Sequence, residues 1–312
     1  MPHGSAGLPT ELTSEFFALQ GFGDGMAKLE NRTPVNDEEM LQFLQTQDDF
    51  SFELEIYSEA EKLGLSPRHA WTYEDPVTNK PRQFDIRAQC TLGPCTIRLA
   101  IECKRLSPLS PLLVSRVPRI DAESFHSVIV TPAYATGTIY VGDPTIGAAI
   151  ARTPSGQHSI YKPGESVGKS MRQLVRNQHG TLDHKKTKDG DEIFDKWMQA
   201  LASSAELLDD ALAVHRARRN TPICTCVLPI LVVPDHTLWA ADYLATGAIA
   251  RGPAEITDAT FFVGRKYHVA RGMEFTITHL HVITRGVVPR FLTSVSTDGA
   301  EWRSLFQQAL LD

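Results

Sequence analysis

The chain carries two alternating segments close together, RQFDIRAQ at residues 82–89 and TIRLAIECK at residues 96–104. In each segment every second residue is apolar, which is the period-two pattern of a β-strand, and a Gly-Pro turn separates the two. On the other face, Asp85 stands in the first strand, and Glu102 and Lys104 stand in the second. The predicted apolar faces are Phe84, Ile86 and Ala88 in the first strand and Ile97, Leu99, Ile101 and Cys103 in the second.

The polar faces of these two strands indicate a metal site. Neighbouring strands lie roughly 4.8 Å apart, so Asp85 reaches Glu102 if the register allows it. Two carboxylates that face each other repel, and a divalent cation with a preference for oxygen ligands, Mg²⁺ or Mn²⁺, removes that repulsion. We expect the backbone carbonyl of Cys103 to be a third ligand. Lys104 would then lie beside the metal, where an ammonium orients the attacking water and offsets phosphate charge.

Segments at helical spacing precede these strands. The pattern predicts a helix from Asp37 and a second helix from about Phe52 to Leu63, which Gly64 ends as a C-terminal cap. A further strand is expected at His69–Glu74, followed by a turn at 75–81.

The rest of the chain alternates between helical and strand patterns. Residues 105–165 are rich in Pro and Gly, with apolar runs at 128–130 and 138–141 that predict short strands. The segment GESVGKS at 164–170 lacks the glycine spacing of a phosphate-binding P-loop, so we interpret it as the start of a helix. The other predicted elements are a helix at 166–178, a charged stretch at 184–191, a long amphipathic helix at 192–219, a buried strand at 222–233, a hairpin of strands 261–270 and 274–284, and a closing helix at 301–310.

Composition limits the classes of function. The chain has 312 residues, of which 42% are hydrophobic and 22% charged, as in ordinary globular proteins. No apolar run approaches the length of a membrane span, and the start does not have the pattern of a signal peptide, so we expect a cytoplasmic protein. The net charge of −6 gives no global attraction to phosphate, and a nucleic-acid partner would need a local basic groove. The five cysteines have no zinc-site spacing and are expected to be reduced and buried.

Three segments together resemble one known family. They are FELEI at 52–56, the hairpin YEDPVTNKPRQFDI at 73–86, and LAIECK at 99–104. This combination is similar to the PD-(D/E)XK nuclease superfamily, in particular to prokaryote-type members that share the hairpin. Phe84 stands where the name of the superfamily has proline, at a position that varies widely among its members.

The resemblance implies an α/β fold with a restriction-endonuclease-like core, in which helices flank a mixed central sheet. We expect residues 1–36 to form a peripheral arm and residues 37–312 a single nuclease-like domain. Within that domain the predicted core covers 50–104 and 166–233, with an insertion at 105–165 and a β-rich extension at 234–312.

The same resemblance assigns roles to individual residues. Asp85 and Glu102 correspond to the metal ligands, and Lys104 corresponds to the catalytic lysine. The helix acid of the family falls on Glu53, with Glu55 and Glu59 as competing candidates.

The expected activity is Mg²⁺- or Mn²⁺-dependent hydrolysis of phosphodiester bonds in DNA, by attack of a metal-bound water. Lys80 and Arg82 flank the hairpin turn and are placed to meet a nucleic-acid backbone near the metal. Gln173 is either the polar residue that some nucleases carry on a following helix or a solvated helix glutamine, and residue type alone favours the second. A homodimer would allow both strands of a duplex to be cut.

Two other functions stay open at this level. A nuclease-fold protein that only binds a partner would agree with the net charge of −6, although such a protein does not need Asp85, Glu102 and Lys104 together. The second alternative is an RNA-directed nuclease, for which no aromatic RNA-binding platform is evident in the sequence.

Overall fold

The computed structural model of the chain describes residues 33–46, 48–75, 79–131, 141–143, 148–153, 160–177, 179–182, 192–270, 273–296 and Trp302. The predicted charged stretch at 184–191, and the predicted closing helix at 301–310 apart from Trp302, lie outside these residues. The chain divides into two compact units, Met1–Thr46 and Gln47–Asp312. The first predicted helix, which we grouped with the nuclease-like domain, therefore belongs to the first unit.

The helices of the described residues include three that were predicted from the sequence. The helix in the first unit has no buried residue. In the second unit, one helix ends in a Schellman motif, because Leu65 N–H donates to the Ala60 carbonyl and Gly64 N–H to that of Glu61. Gly64 adopts the φ of +70° that this cap requires, which a side chain would disfavour. The helices are α1 (Asp37–Thr46), α2 (Phe50–Lys62), α3 (Glu192–Ala217) and α4 (Val288–Ser296).

The described part of the second unit contains fifteen strands, and short 3-10 segments lie at Asp121–Glu123 and Arg285–Val287. The predicted strand at His69–Glu74 is split at Ala70, whose φ is +56°. The strands are β1 (Arg68–His69), β2 (Thr72–Glu74), β3 (Pro81–Gln83), β4 (Ile86–Leu92), β5 (Cys95–Cys103), β6 (Leu112–Pro118), β7 (Ser127–Val130), β8 (Val141–Asp143), β9 (Ala148–Arg152), β10 (Ser166–Gln173), β11 (Cys224–Val233), β12 (Leu238–Tyr243), β13 (Ile249–Glu255), β14 (Asp258–Ala270) and β15 (Met273–Thr284).

One large mixed sheet contains thirteen of these strands, in the order β1-β4-β5-β11-β15-β14-β10-β6-β12-β13 with β7, β8 and β9 attached beside β11. β2 and β3 pair separately. The centre is parallel, since β11 pairs in parallel with both β5 and β15. All ten residues of β11 are buried, as its continuous apolar run predicts. The fold is therefore α/β, with a large mixed sheet flanked by helices.

The two faces of the sheet carry different helices. On one face, the apolar side of β5 packs with residues of α2 and α4. On the other face, Ala100 of β5 packs against α3. This division is what directs Glu102, which lies on the same side of β5 as Ala100, towards α3.

Three expectations about local structure were wrong or incomplete. The predicted helix at 166–178 is strand β10, which pairs with β6, and Gly168 packs so closely that an added Cβ would lie 2.6 Å from the Phe261 ring. Phe84 does not share a face with Ile86, because the chain bends at Asp85, and Phe84 packs instead with Tyr73 and Ala202. β6, within the predicted insertion, joins the same sheet as the core.

Three predicted strands and the predicted state of the cysteines are confirmed. The predicted strands at 222–233, 261–270 and 274–284 are present, and the last two form an antiparallel pair. All five cysteines are buried free thiols. No helix in the described part of the chain is long and apolar enough to cross a membrane.

Candidate metal site

The register of β4 and β5 brings the two predicted carboxylates together. Ile86 pairs with Ile101, and one step further along this antiparallel register places Asp85 beside Glu102. The bend at Asp85 turns its carboxylate onto the backbone of β5, where Cys103 N–H donates to Asp85 Oδ2 at 2.7 Å. The strand register therefore allows the contact between Asp85 and Glu102, which the sequence alone did not establish.

A lysine that the sequence analysis did not single out lies between these acids. Lys196 of α3 places its ammonium 2.9 Å from Asp85 Oδ1 and 2.8 Å from Oδ2. The same ammonium is 3.7 Å from Glu102 Oε2. Burial lowers the pKa of Lys196, but the neighbouring carboxylates, Asp85 first, outweigh burial and raise this pKa above its usual value. Lys196 is therefore a cation, and it is held where the two acids converge.

Glu102 is the most deeply buried member of the site, with 0% of its side chain exposed. With both acids ionised, neither carboxylate oxygen of Glu102 has a hydrogen-bond donor. Burial, followed by the charge of Asp85 and a shared hydrogen bond with that carboxyl group, raises the pKa of Glu102 well above its usual value. An ionised carboxylate without donors is costly inside a protein, so this position requires a proton or a further cation.

Glu53 is the acid of α2 that faces the site. Its Oε2 is 2.9 Å from His69 Nε2, and burial, followed by the Asp85 charge, raises its pKa. The two competing acids have other partners outside the site: Glu55 pairs with Arg285 at 2.9 Å, and Glu59 pairs with Lys62 at 2.7 Å. Among the three candidates, the geometry therefore favours Glu53.

Lys104 makes its ion pair with Asp49, the residue immediately before α2. Lys104 Nζ donates to Asp49 Oδ2 at 3.0 Å, and the backbone N–H of Arg105 donates to Asp49 Oδ1 at 2.7 Å. This arrangement fixes the end of β5 to the start of α2, next to Glu53. The role of Lys104 in orienting water stays a prediction.

The predicted substrate-binding residues do not form one group. Lys80 is exposed beside the β2–β3 hairpin, and Arg82 pairs with Asp75 at 2.6 Å. Gln173 lies on β10 rather than on a helix, and β10 is four positions from β5 in the strand order. At about 4.8 Å per strand that separation is roughly 19 Å, so the reason for placing Gln173 at the site no longer holds.

The donor set suits Mg²⁺ better than a metal that needs several side-chain ligands. Among the described residues, no group of three or more His, Cys, Asp or Glu side chains is arranged to hold a metal ion. Mg²⁺, however, is commonly bound through one or two carboxylates, with waters and substrate phosphates as the other ligands. Asp85 and the donor-free oxygens of Glu102 fit that requirement, and the backbone carbonyl of Cys103 stays a predicted third ligand.

Three residues at the site were not predicted from the sequence, and the sequence signals for them differ in strength. Lys196 lies on the same helical stripe as Ile193 and Ala200, both of which are buried, so the spacing marked it as a charge on an apolar face. Asp49 immediately precedes α2, whose observed start at Phe50 is two residues before the predicted one. His69 has no comparable signal, because its contact with Glu53 depends on the path of the chain between them.

Comparisons with known proteins add no family assignment. A scan against protein-family models gave no match, and searches of curated proteins and of solved structures gave none either. The resemblance to a nuclease superfamily thus depends on the residues of this chain alone.

Proposed function

We propose that the chain is a metal-dependent phosphodiesterase that acts on DNA and has a restriction-endonuclease-like core. The observation that supports this most directly is the fully buried Glu102 carboxylate, which has no hydrogen-bond donor and stands beside Asp85. A protein that needed only a stable sheet would gain by replacing this pair with apolar residues of similar volume. Two buried acids at a strand end are instead the arrangement that a hard divalent cation requires.

In this proposal, Asp85 and Glu102 hold Mg²⁺ or Mn²⁺, with the Cys103 carbonyl as a further ligand. The bound cation would supply a water of lowered pKa and would offset the charge that develops on the phosphate. Cys103 N–H fixes the orientation of Asp85 through a single oxygen, which preorganises the ligand before substrate binds.

The groups around the carboxylates complete the proposed chemistry. Glu53, whose pKa is raised by burial and then by the Asp85 charge, accepts a proton from the attacking water while its contact with His69 holds the carboxylate in place. Lys104 orients that water and is itself positioned by Asp49. The water oxygen attacks phosphorus directly, the bond from phosphorus to the leaving sugar oxygen breaks, and that oxygen takes a proton from solvent. No residue of the chain forms a covalent bond to the substrate.

The test is cleavage of supercoiled plasmid by the purified protein in Mg²⁺, in Mn²⁺ and in EDTA. We expect nicking that requires metal and that is lost in Glu102→Gln and in Lys104→Ala. Glu53→Gln should also lose activity, whereas Glu55→Gln, a change on the same helix at an exposed acid paired with Arg285, should retain it. Full activity in Glu102→Gln would contradict the proposal.

One observation favours a second candidate, a nuclease-fold protein that binds a partner without cleaving it. The Lys196 ammonium already lies against both carboxylates, so the pair is partly neutralised by the protein itself. Calorimetry with Mn²⁺ separates the two functions, since the silent protein would bind none at this pair. If metal binds and plasmid is not cut, matched DNA and RNA substrates test the alternative of an RNA-directed nuclease.

A further inference from the structure

One tryptophan of the chain is exposed, and its backbone lies beside the segment that carries Asp85. All four tryptophans fall within the described residues, and only Trp71 is exposed, at 58% of its surface. Its backbone is fixed to the strand that carries the first ligand, because Phe84 N–H donates to the Trp71 carbonyl at 3.1 Å and Ala70 N–H donates to the Asp85 carbonyl at 3.0 Å. The backbone of Trp71 is therefore fixed beside the residues that lead into Asp85.

One arginine lies over this ring, and two others line the same cleft. The guanidinium of Arg68 lies over the Trp71 ring, 5.4 Å from its centroid. Arg68, Arg87 and Arg98 stand on the adjacent strands β1, β4 and β5, and together with Trp71 they line a cleft of about 220 Å³. Glu206 and Asp210 line the same cleft, so its arginines exceed its acids by one. In a chain of net charge −6, this is a local surplus of positive charge of the kind that a nucleic-acid partner needs.

Arg68 differs from the other two arginines of the cleft, both of which lie close to carboxylates. Arg87 pairs with Glu206 at 2.8 Å, and Arg98 lies 3.6 Å from Asp210. Within the described part of the chain, Arg68 forms no ion pair with a carboxylate. Burial is the main cause of a lowered pKa at Arg98. The charge of Asp210 opposes this effect, and the charges of Arg68 and Arg87 lower the pKa further. The three cations therefore repel one another, and a bound anion would relieve that repulsion.

We propose that Trp71 and Arg68 form a binding platform for an unpaired nucleotide, and that the preferred ligand is single-stranded nucleic acid. This inference rests on the proposed function for its purpose, which is to guide a strand towards Asp85 and Glu102. The base stacks on the indole ring, and Arg68 contacts the adjacent phosphate. A base inside a duplex is covered on both faces by its neighbours, so only an unpaired or terminal base is free to stack on Trp71.

The experiment measures binding by fluorescence anisotropy in EDTA, so that its result does not depend on cleavage. The probe is a labelled single-stranded DNA oligonucleotide of mixed sequence, and the same sequence as a blunt duplex serves as comparison. Trp71→Ala should weaken single-strand binding roughly 5- to 150-fold, which corresponds to the loss of one aromatic–base stack. Trp71→Phe, which keeps a ring, should retain most of the affinity, and a matched RNA strand should show the same pattern.

A second pair of variants tests the phosphate contact. Arg68→Gln should weaken binding and reduce the salt dependence of the affinity by about one phosphate contact, or ~0.7 in the logarithmic slope. Trp71→Ala should leave that slope unchanged. Arg251→Gln is the matched control, because Arg251 is exposed on β13, at the opposite end of the strand order from β1, and it should bind like the wild type.

Equal single-strand affinity in Trp71→Ala and wild type would overturn the inference, as would duplex binding that is equally tight and equally dependent on Trp71. Absence of binding to every probe would overturn it too. None of these results affects the nuclease proposal, which depends on metal binding and plasmid cleavage. Conversely, single-strand binding that requires Trp71 would support the platform even if no metal binds.

Discussion

Replacement of Lys196 by methionine removes the cation from between the two buried acids and keeps most of the side chain's volume. The side chains of Asp85 and Glu102 are 9% and 0% exposed, so water cannot readily replace the ammonium. Breaking a buried ion pair by removing one partner costs about 3–5 kcal/mol. At roughly 2–4 °C per kcal/mol for a unit of this size, Lys196→Met should lower the melting temperature by about 6–20 °C in EDTA.

Added Mn²⁺ should reverse that loss. Without the ammonium, the carboxylate pair is open to a divalent ion, and a ligand that binds only the folded state stabilises it in proportion to the logarithm of its concentration. We therefore expect the melting temperature of Lys196→Met to rise with Mn²⁺ concentration more steeply than that of the wild type. Calorimetry should show tighter Mn²⁺ binding in the variant.

Lys169→Met provides the matched control, since Lys169 pairs with Glu123 away from the site and is more exposed than Lys196. This variant should lose less stability, and Mn²⁺ should not restore it. If Lys196→Met were as stable as the wild type in EDTA, the argument that Lys196 neutralises the acids would be refuted. If the loss were equal in EDTA and in Mn²⁺, the pair would not be a metal site.

Two further predictions concern stability. Burial lowers the pKa of His126 from 6.5 to about 4; the unfolded chain then binds the proton more readily, so stability is intact above pH 6.5 and falls as pH decreases towards 4. The loss from this residue is about 1.4 kcal/mol near pH 5.5, and urea unfolding at neutral and acidic pH should show a smaller acid loss in His126→Leu; an unchanged pH dependence would contradict this. Gly168→Ala places a Cβ 2.6 Å from the Phe261 ring and should cost about 1–3 kcal/mol in urea unfolding. Gly252→Ala, whose Cβ would meet nothing within 4 Å, should be close to neutral, and equal stability of the two variants would refute the packing argument.

The parts of the site that the sequence predicts are those encoded by short-range pattern. Alternation in β5 assigns Glu102 to one face, and the short turn after β4 makes an antiparallel register with Asp85 the simplest pairing. Lys196 was missed because its contact depends on where α3 docks on the sheet, which no local pattern specifies. Its position on an apolar stripe was visible, but the partner was not.

The error at 166–178 has a different origin. The segment SVGKSMRQ has neither strict alternation nor a clear helical stripe, and its state is decided by β6 and β14, which pair with it on either side. The close approach of Gly168 to Phe261 is a tertiary requirement that the residue type alone does not reveal. Where sheet neighbours supply the hydrogen bonds, local propensity is a weak guide.

The charged residues of the site are far apart along the chain, which affects the order in which their contacts form. Asp85 and Cys103 are 18 residues apart and are joined by one hairpin, whereas Lys196 is 111 residues from Asp85. Contacts between nearby residues close faster than contacts between distant ones. During synthesis, the hairpin therefore emerges with its acids uncompensated, and the ammonium arrives only after α3 has been made. In that interval α3 does not yet cover this face of β5, so water solvates the two carboxylates, and they lose that water only when α3 docks and brings the ammonium with it.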